Sequence, residues 1–187
     1  MLIPSPDDRC SKHFHYRDFL FCGETQNRLD LPNTPTDPQT YEAIKALACE
    51  ILDKVVDEFG DIELTFAFCS AELAKKIRKN PRPRIAPERD QHAGYEQNSC
   101  GKQICNRGGF AADFRHPSVP SDQLAHWVIG KCAFDRLYYY GSSHPLHVST
   151  GPNHSRTVVL MQERDGRRVP RVIKEDQFNT LINADGL

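Results

Sequence analysis

The chain has 187 residues, 39% of them hydrophobic and 26% charged, with a formal net charge of −1. That balance fits one ordinary soluble domain spanning residues 1–187, and with no run of about 18 apolar residues it excludes a membrane span. The opening MLIPSPDDRC has no basic stretch followed by an apolar one, and the seven cysteines are odd in number, irregularly spaced and without a CxxC pair. The expectation is a cytoplasmic protein with reduced thiols, in which Cys49 and Cys69 are small core residues. Charge is uneven along the chain. Residues 1–72 hold 14 acidic against 6 basic side chains and residues 73–187 hold 18 basic against 11 acidic, which would give either two mutually attracting faces or a basic face for a polyanion.

In chain order, residues 1–36 read as irregular, with one short element around His15–Cys22. Asp37 and Pro38 then open a helix that Gly60 ends. Tyr41, Ile44, Leu47, Ala48, Ile51, Leu52, Val55, Val56 and Phe59 recur at steps of three and four, placing one apolar face on a large neighbour. Ile62–Cys69 reads as a strand, and Ser70 caps a short helix over 71–79 with Leu73 and Ile77 inward. Residues 80–108 have no periodicity. A polar loop of that length containing His and Cys points to function.

Gly109–Arg115 reads as a strand ending at Asp113, and Ser121–Cys132 as a helix capped by Ser121 with Leu124, Trp127 and Val128 inward. Phe134–Tyr140 and Leu146–Ser149 read as strands joined at Gly141–Ser142–Ser143. Arg156–Gln162 and Arg168–Ile173 form a hairpin around Asp165–Gly166, and Glu175–Ile182 a last short helix. The sum is an α+β domain with a mostly antiparallel sheet packed on a long helix.

His92 in the long loop, Asp113 in GGFAADF and His147 in HPLHVS are of the types that hold zinc, which in catalytic sites takes three protein ligands and leaves one position open. An aspartate among small apolar residues is costly to bury unpaired, and a metal would satisfy it.

The order of NTP before a long helix, FGDIELTFAFCSAELAKKI, a His, a Gly-Ala-Asp strand and FDRLYYYG…HPLHVS resembles the zinc D-Ala-D-Ala carboxypeptidases and phage endolysins of the hedgehog/DD-peptidase fold, over about residues 30–150. That resemblance implies a core over about 30–162, a peptide or other amide substrate, and His92, Asp113 and His147 as zinc ligands. Gly109 and Ala111 match the small positions before Asp113. Three positions depart from the pattern. The family motif sets its Asp seven residues after its His, whereas His92 precedes Asp113 by twenty-one, which keeps Cys105 open as an alternative ligand. Cys69 stands where the family has a substrate-gripping Arg. Tyr139 or Tyr140 stands near its catalytic Glu, and a phenol is a poor base at neutral pH.

Two replacements for that Glu follow from the residues. Glu96, four after His92, would share its side of a helical turn and act as base, while Tyr140 or Tyr139 would donate a hydrogen bond to an oxyanion. Tyr139 and His144 are candidate substrate contacts. The leading expectation is a zinc-dependent amide hydrolase. The alternatives are a catalytically inactive zinc-stabilised binding module, and a metal-dependent protein acting on nucleic acid through a basic face made of Lys75, Lys76, Arg78, Lys79, Arg82, Arg84 and Arg89 or of Arg164, Arg167, Arg168, Arg171 and Lys174.

Overall fold

The computed structural model describes residues 3–20, 23, 28, 31–80, 85–164 and 166–185. Cys22, Arg82, Arg84 and Asp165 lie outside the described residues.

Asp37 opens the main helical stretch as expected: its carboxylate accepts from the Gln39 N–H at 2.8 Å, and Pro38 fills the first turn. The stretch is not one regular helix. α1 (Tyr16–Leu20) precedes it; α2 (Pro38–Leu47) gives way to a π-helical segment, Ala48–Leu52, before α3 (Asp53–Phe59). Cys49, within the π turn, is exposed instead of in the core. Tyr41, Ile44, Leu47, Ala48, Ile51, Leu52, Val55 and Val56 are nevertheless all buried, so the apolar face survives the change of pitch.

β1 (Glu63–Phe66) is shorter than its sequence suggests. Its register slips between Leu64 and Phe66, and the next residues leave the ladder to bond elsewhere: Phe68 N–H to the Phe19 carbonyl, Cys69 N–H to the His92 carbonyl. Ser70 then caps α4 (Ala71–Arg78) through Leu73 N–H, with Leu73 and Ile77 buried. Residues 85–108 make turns and one isolated bridge, Gln97 to Gln103.

β2 (Phe110–Arg115) holds Asp113 within the strand, not at its end. Gly109, at φ 78°, makes the entry possible, since a Cβ there would stand 1.9 Å from the Thr150 carbonyl oxygen. In α5 (Ser121–Lys131) the cap position falls to Pro120; Ser121 lies inside the helix and its hydroxyl donates to the His144 carbonyl. Leu124 and Val128 are buried, and Trp127 packs edge-on against Phe59. β3 (Arg136–Tyr139), β4 (Leu146–Thr150), β5 (Thr157–Arg164), β6 (Arg167–Ile173), a 3-10 turn (Glu175–Gln177) and α6 (Phe178–Asp185) complete the chain.

The six strands form one mixed sheet in the order β1-β2-β4-β3-β5-β6, antiparallel throughout except for β3 beside β5. Alternation divides it into two faces. Phe110, Ala112, Phe114, Leu137, Tyr139, Leu146, Val148, Val158, Leu160 and Ile173 join the helices in the main core. The opposite face carries a row running across the strands in register: Phe66, Asp113, His147, Tyr138, Val159, Val172. Arg156 locks the far end. It reaches the carbonyls of Cys132 and Ile129, pairs with Glu175 at 2.7 Å and lies 4.7 Å over the Phe134 ring. Among the described residues no helix is long and apolar enough to cross a membrane.

Candidate metal centre

Register alone brings two of the three expected ligands together, because Asp113 on β2 is directly opposite His147 on β4. Asp113 Oδ1 lies 2.7 Å from His147 Nδ1. His92 arrives from the loop, held where its carbonyl accepts the Cys69 N–H, and its Nε2 stands 3.5 Å from the same Oδ1. Two ligand atoms of a tetrahedral zinc stand about 3.3 Å apart, so these separations suit one ion with little rearrangement. One ligand atom from each of the three side chains falls within 4.8 Å of the others.

Aromatic contacts fix both rings. His147 stacks on Tyr138 at 4.6 Å and 29°, and His92 meets Phe66 edge-on at 4.8 Å and His147 at 5.0 Å. The imidazoles are sealed, at 0% and 1% side-chain exposure, while Asp113 at 17% is the solvent-facing member.

The hydrogen-bond account is the strongest sign that the site holds something. Among the described residues, seven buried side-chain nitrogen or oxygen atoms lack a partner. Three of them are His92 Nδ1, His92 Nε2 and His147 Nε2, and a fourth is Asp90 Oδ1. Buried polar atoms are nearly always paired, and leaving one bare costs about 1–3 kcal/mol. His92 Nε2 is the one of these that faces the Asp113 carboxylate, a bare nitrogen where a cation would be held.

Charge agrees. Burial is the largest influence on His92 and lowers its pKa, but the attraction of Asp90, then of Asp113, outweighs it and brings the group to about 9. For Asp113 burial alone would raise the pKa; the two histidines overcome it and hold the carboxyl well below its usual range. Without a metal, His147 bonds Asp113 and His92 stands beside it as a counter-charge.

The other expected site residues go elsewhere. Glu96 is not beside the cluster's water side as a base: Gln91 and Gly94 take φ of 64° and 57°, so 92–96 is no helical turn. Its buried carboxylate instead accepts from Thr36 N–H, Asp37 N–H, Thr36 Oγ1 and Thr40 Oγ1 at 2.5–3.1 Å, sealing the N-terminus of α2. Cys105 is buried and is not one of the three clustered ligands. Tyr139 faces the core, edge-on to Phe178 at 5.3 Å, and burial pushes its phenol up to about 12; it cannot touch a substrate on the opposite face. His144 is exposed in the β3–β4 turn, its N–H bonded to the Gly141 carbonyl.

Tyr140 does belong to the neighbourhood. Burial, then the charges of Asp113 and Asp90, drive its pKa far upward, and the Arg168 guanidinium lies 5.1 Å over its ring. It is therefore a permanent hydrogen-bond donor and no base. Two residues that sequence reasoning passed over also matter. Tyr138 orients His147, and Arg107 reaches both the Arg89 carbonyl and the Tyr138 hydroxyl. The signal for Tyr138 was its place between Leu137 and Tyr139, which alternation sends to the face of His147.

Two surface hollows, of about 430 and 650 Å³, are lined around Trp127 and around Arg17 and contain none of these residues. Compared with known proteins, the chain matches no family model, no curated protein and no solved structure.

Proposed function

We propose that this chain is a zinc-dependent hydrolase of peptide or other amide bonds, a divergent relative of the D-Ala-D-Ala carboxypeptidases with a hedgehog/DD-peptidase-like fold, acting in the cytoplasm. The observation that carries the reading is the cluster of His92, Asp113 and His147 with its bare imidazole nitrogens. Three ligands of types suited to zinc leave a coordination position for a reactant, as catalytic sites do and closed structural sites do not. Zinc bound there would lower the pKa of its water to about 7 and polarise a substrate carbonyl.

The chain's own residues supply the rest. β2 and β4 hold Asp113 and His147 in fixed register, and Tyr138 sets the ring plane of His147. The phenol of Tyr140, kept protonated, is suited to donate to a developing oxyanion. Arg168, stacked over Tyr140, brings a positive charge to the same rim.

One observation favours a second reading, a metal-stabilised binding module without catalysis. Glu96, the carboxylate expected to act as base, spends every acceptor on the start of α2.

The test is zinc content and amidase activity of the wild type beside His92→Ala, Asp113→Ala, His147→Ala and Cys105→Ala. About one zinc per chain is expected, lost in the first three and kept in the last, with chelator-sensitive cleavage of N-acyl peptides. Zinc binding without any cleavage would select the binding module. A wild type that takes no zinc would end the metal reading.

A further inference from the structure

The loop that delivers His92 delivers a second acid with it. Asp90 is 7% exposed, and its two carboxylate oxygens are used differently. Oδ2 accepts from the Ala86 N–H at 2.6 Å and closes the turn over 86–90. Oδ1 is buried and meets no donor. Closing that turn needs one acceptor, which a neutral Asn or Ser would provide without a buried charge. The second oxygen therefore asks for a partner that the polypeptide does not contain.

Its surroundings say where that partner belongs. Asp90 stands two residues before His92 in the same buried stretch, and its charge is felt by the His92 imidazole, by Tyr140 and by Cys69. Its position is fixed from both sides. The preceding carbonyl, of Arg89, accepts from Arg107. The following residue, Gln91, is fully buried: its amide nitrogen donates to the Gly108 and Thr150 carbonyls, and its amide oxygen accepts from Ser149 Oγ at 2.8 Å. A side chain so held is preorganised, not adventitiously acidic.

We propose that Asp90 is the outer carboxylate of the metal centre, a positioning residue whose bare Oδ1 accepts a hydrogen bond from the water or substrate group that takes the open place beside His92, Asp113 and His147. The inference rests on the zinc reading above and adds to it the acid that Glu96 does not provide. It also balances charge. Two neutral imidazoles and one carboxylate leave a divalent ion with a surplus of one positive charge, and Asp90 supplies the missing negative charge.

The experiment compares wild type, Asp90→Asn and Asp113→Asn in zinc stoichiometry, in zinc affinity by chelator competition, and in the visible spectrum of the cobalt(II)-loaded protein. Asp90→Asn keeps an acceptor for the Ala86 N–H, and Asp90→Ser, which also keeps one, serves if the Asn variant does not fold; melts in excess chelator check that both match the wild type. The expected result is about one metal per chain bound roughly 10–100-fold more weakly, with an altered cobalt spectrum. Wild-type affinity and spectrum in both variants would reduce Asp90 to a turn cap and overturn the proposal. Complete loss of metal, as in Asp113→Asn, would overturn it the other way by making Asp90 a direct ligand. A wild type that binds neither zinc nor cobalt would bring down the zinc reading itself, and the proposal with it.

Discussion

The two faces of the sheet solve opposite problems. On the helix side, Phe110, Phe114, Leu137, Tyr139, Val148 and Leu160 are at or below 1% exposure and pack into the continuous core. On the other side, His147 of β4 is just as buried but polar and its Nε2 is left bare, beside a buried His92 from the loop. Loop 85–108 shows the same contrast within five residues, with Glu96 holding four donors at 2.5–3.1 Å while the His92 ring nitrogens find no partner at good hydrogen-bond geometry, the nearest being Asp113 Oδ1 at 3.5 Å from Nε2. Stability comes from the first arrangement. The second gives some of it up, as sites that must bind something else do.

The sharpest way to break this comparison is to damage each side separately. Phe114→Ala, on the helix face opposite its neighbour Asp113, is expected to cost about 3–5 kcal/mol in chemical denaturation while the surviving folded protein keeps its zinc. Loss of zinc affinity in proportion to stability would show that the faces are not independent. A smaller effect is expected from Glu96→Ala, about 3 kcal/mol, because four donors at the start of α2 lose a charged acceptor together. Zinc content should again be unchanged; its disappearance would return Glu96 to the site.

The smallest and most specific effect concerns pH. His92 titrates near 9 in the metal-free fold against 6.5 when unperturbed, so between those values the folded state binds more protons than the unfolded one. Its stabilising contribution is complete below about pH 6.5 and is lost as pH rises through about 9. Denaturation in EDTA at pH 6.5, 8 and 9.5 should show this decline relative to His92→Ala. With zinc present the slope should reverse, since the metal needs the neutral imidazole. Identical slopes for wild type and variant in EDTA would show that the His92–Asp113 attraction is absent.

Much of this was legible beforehand, for reasons that can be named. Asp113 and His147 announce themselves because each polar group interrupts an apolar strand, and a period of two then fixes the face. The helix cap at Asp37 and the hairpin after Arg156 follow from local rules. What was hidden depended on contacts far apart in sequence. Glu96 read as a base because a spacing of four means one face of a helix, but the left-handed residues Gln91 and Gly94 abolish the helix, and its partners lie 56–60 residues away. Asp90, in the polar run PERDQH, looks like any solvated acid; only burial distinguishes it. The π turn in the main helical stretch left no mark on a pattern whose apolar face is unbroken.

One feature of the sheet reaches beyond the single molecule. β6 lies at its edge, where a free row of backbone groups invites another chain to add a strand. Val172, 67% exposed, would strengthen that invitation. Pro170 withholds one donor from the row, and Arg167, Arg168 and Arg171 would confront an identical strand with like charge. The basic run that suggests a polyanion partner thus has a consequence that requires none: it would set like charge against a second copy aligned on the same edge.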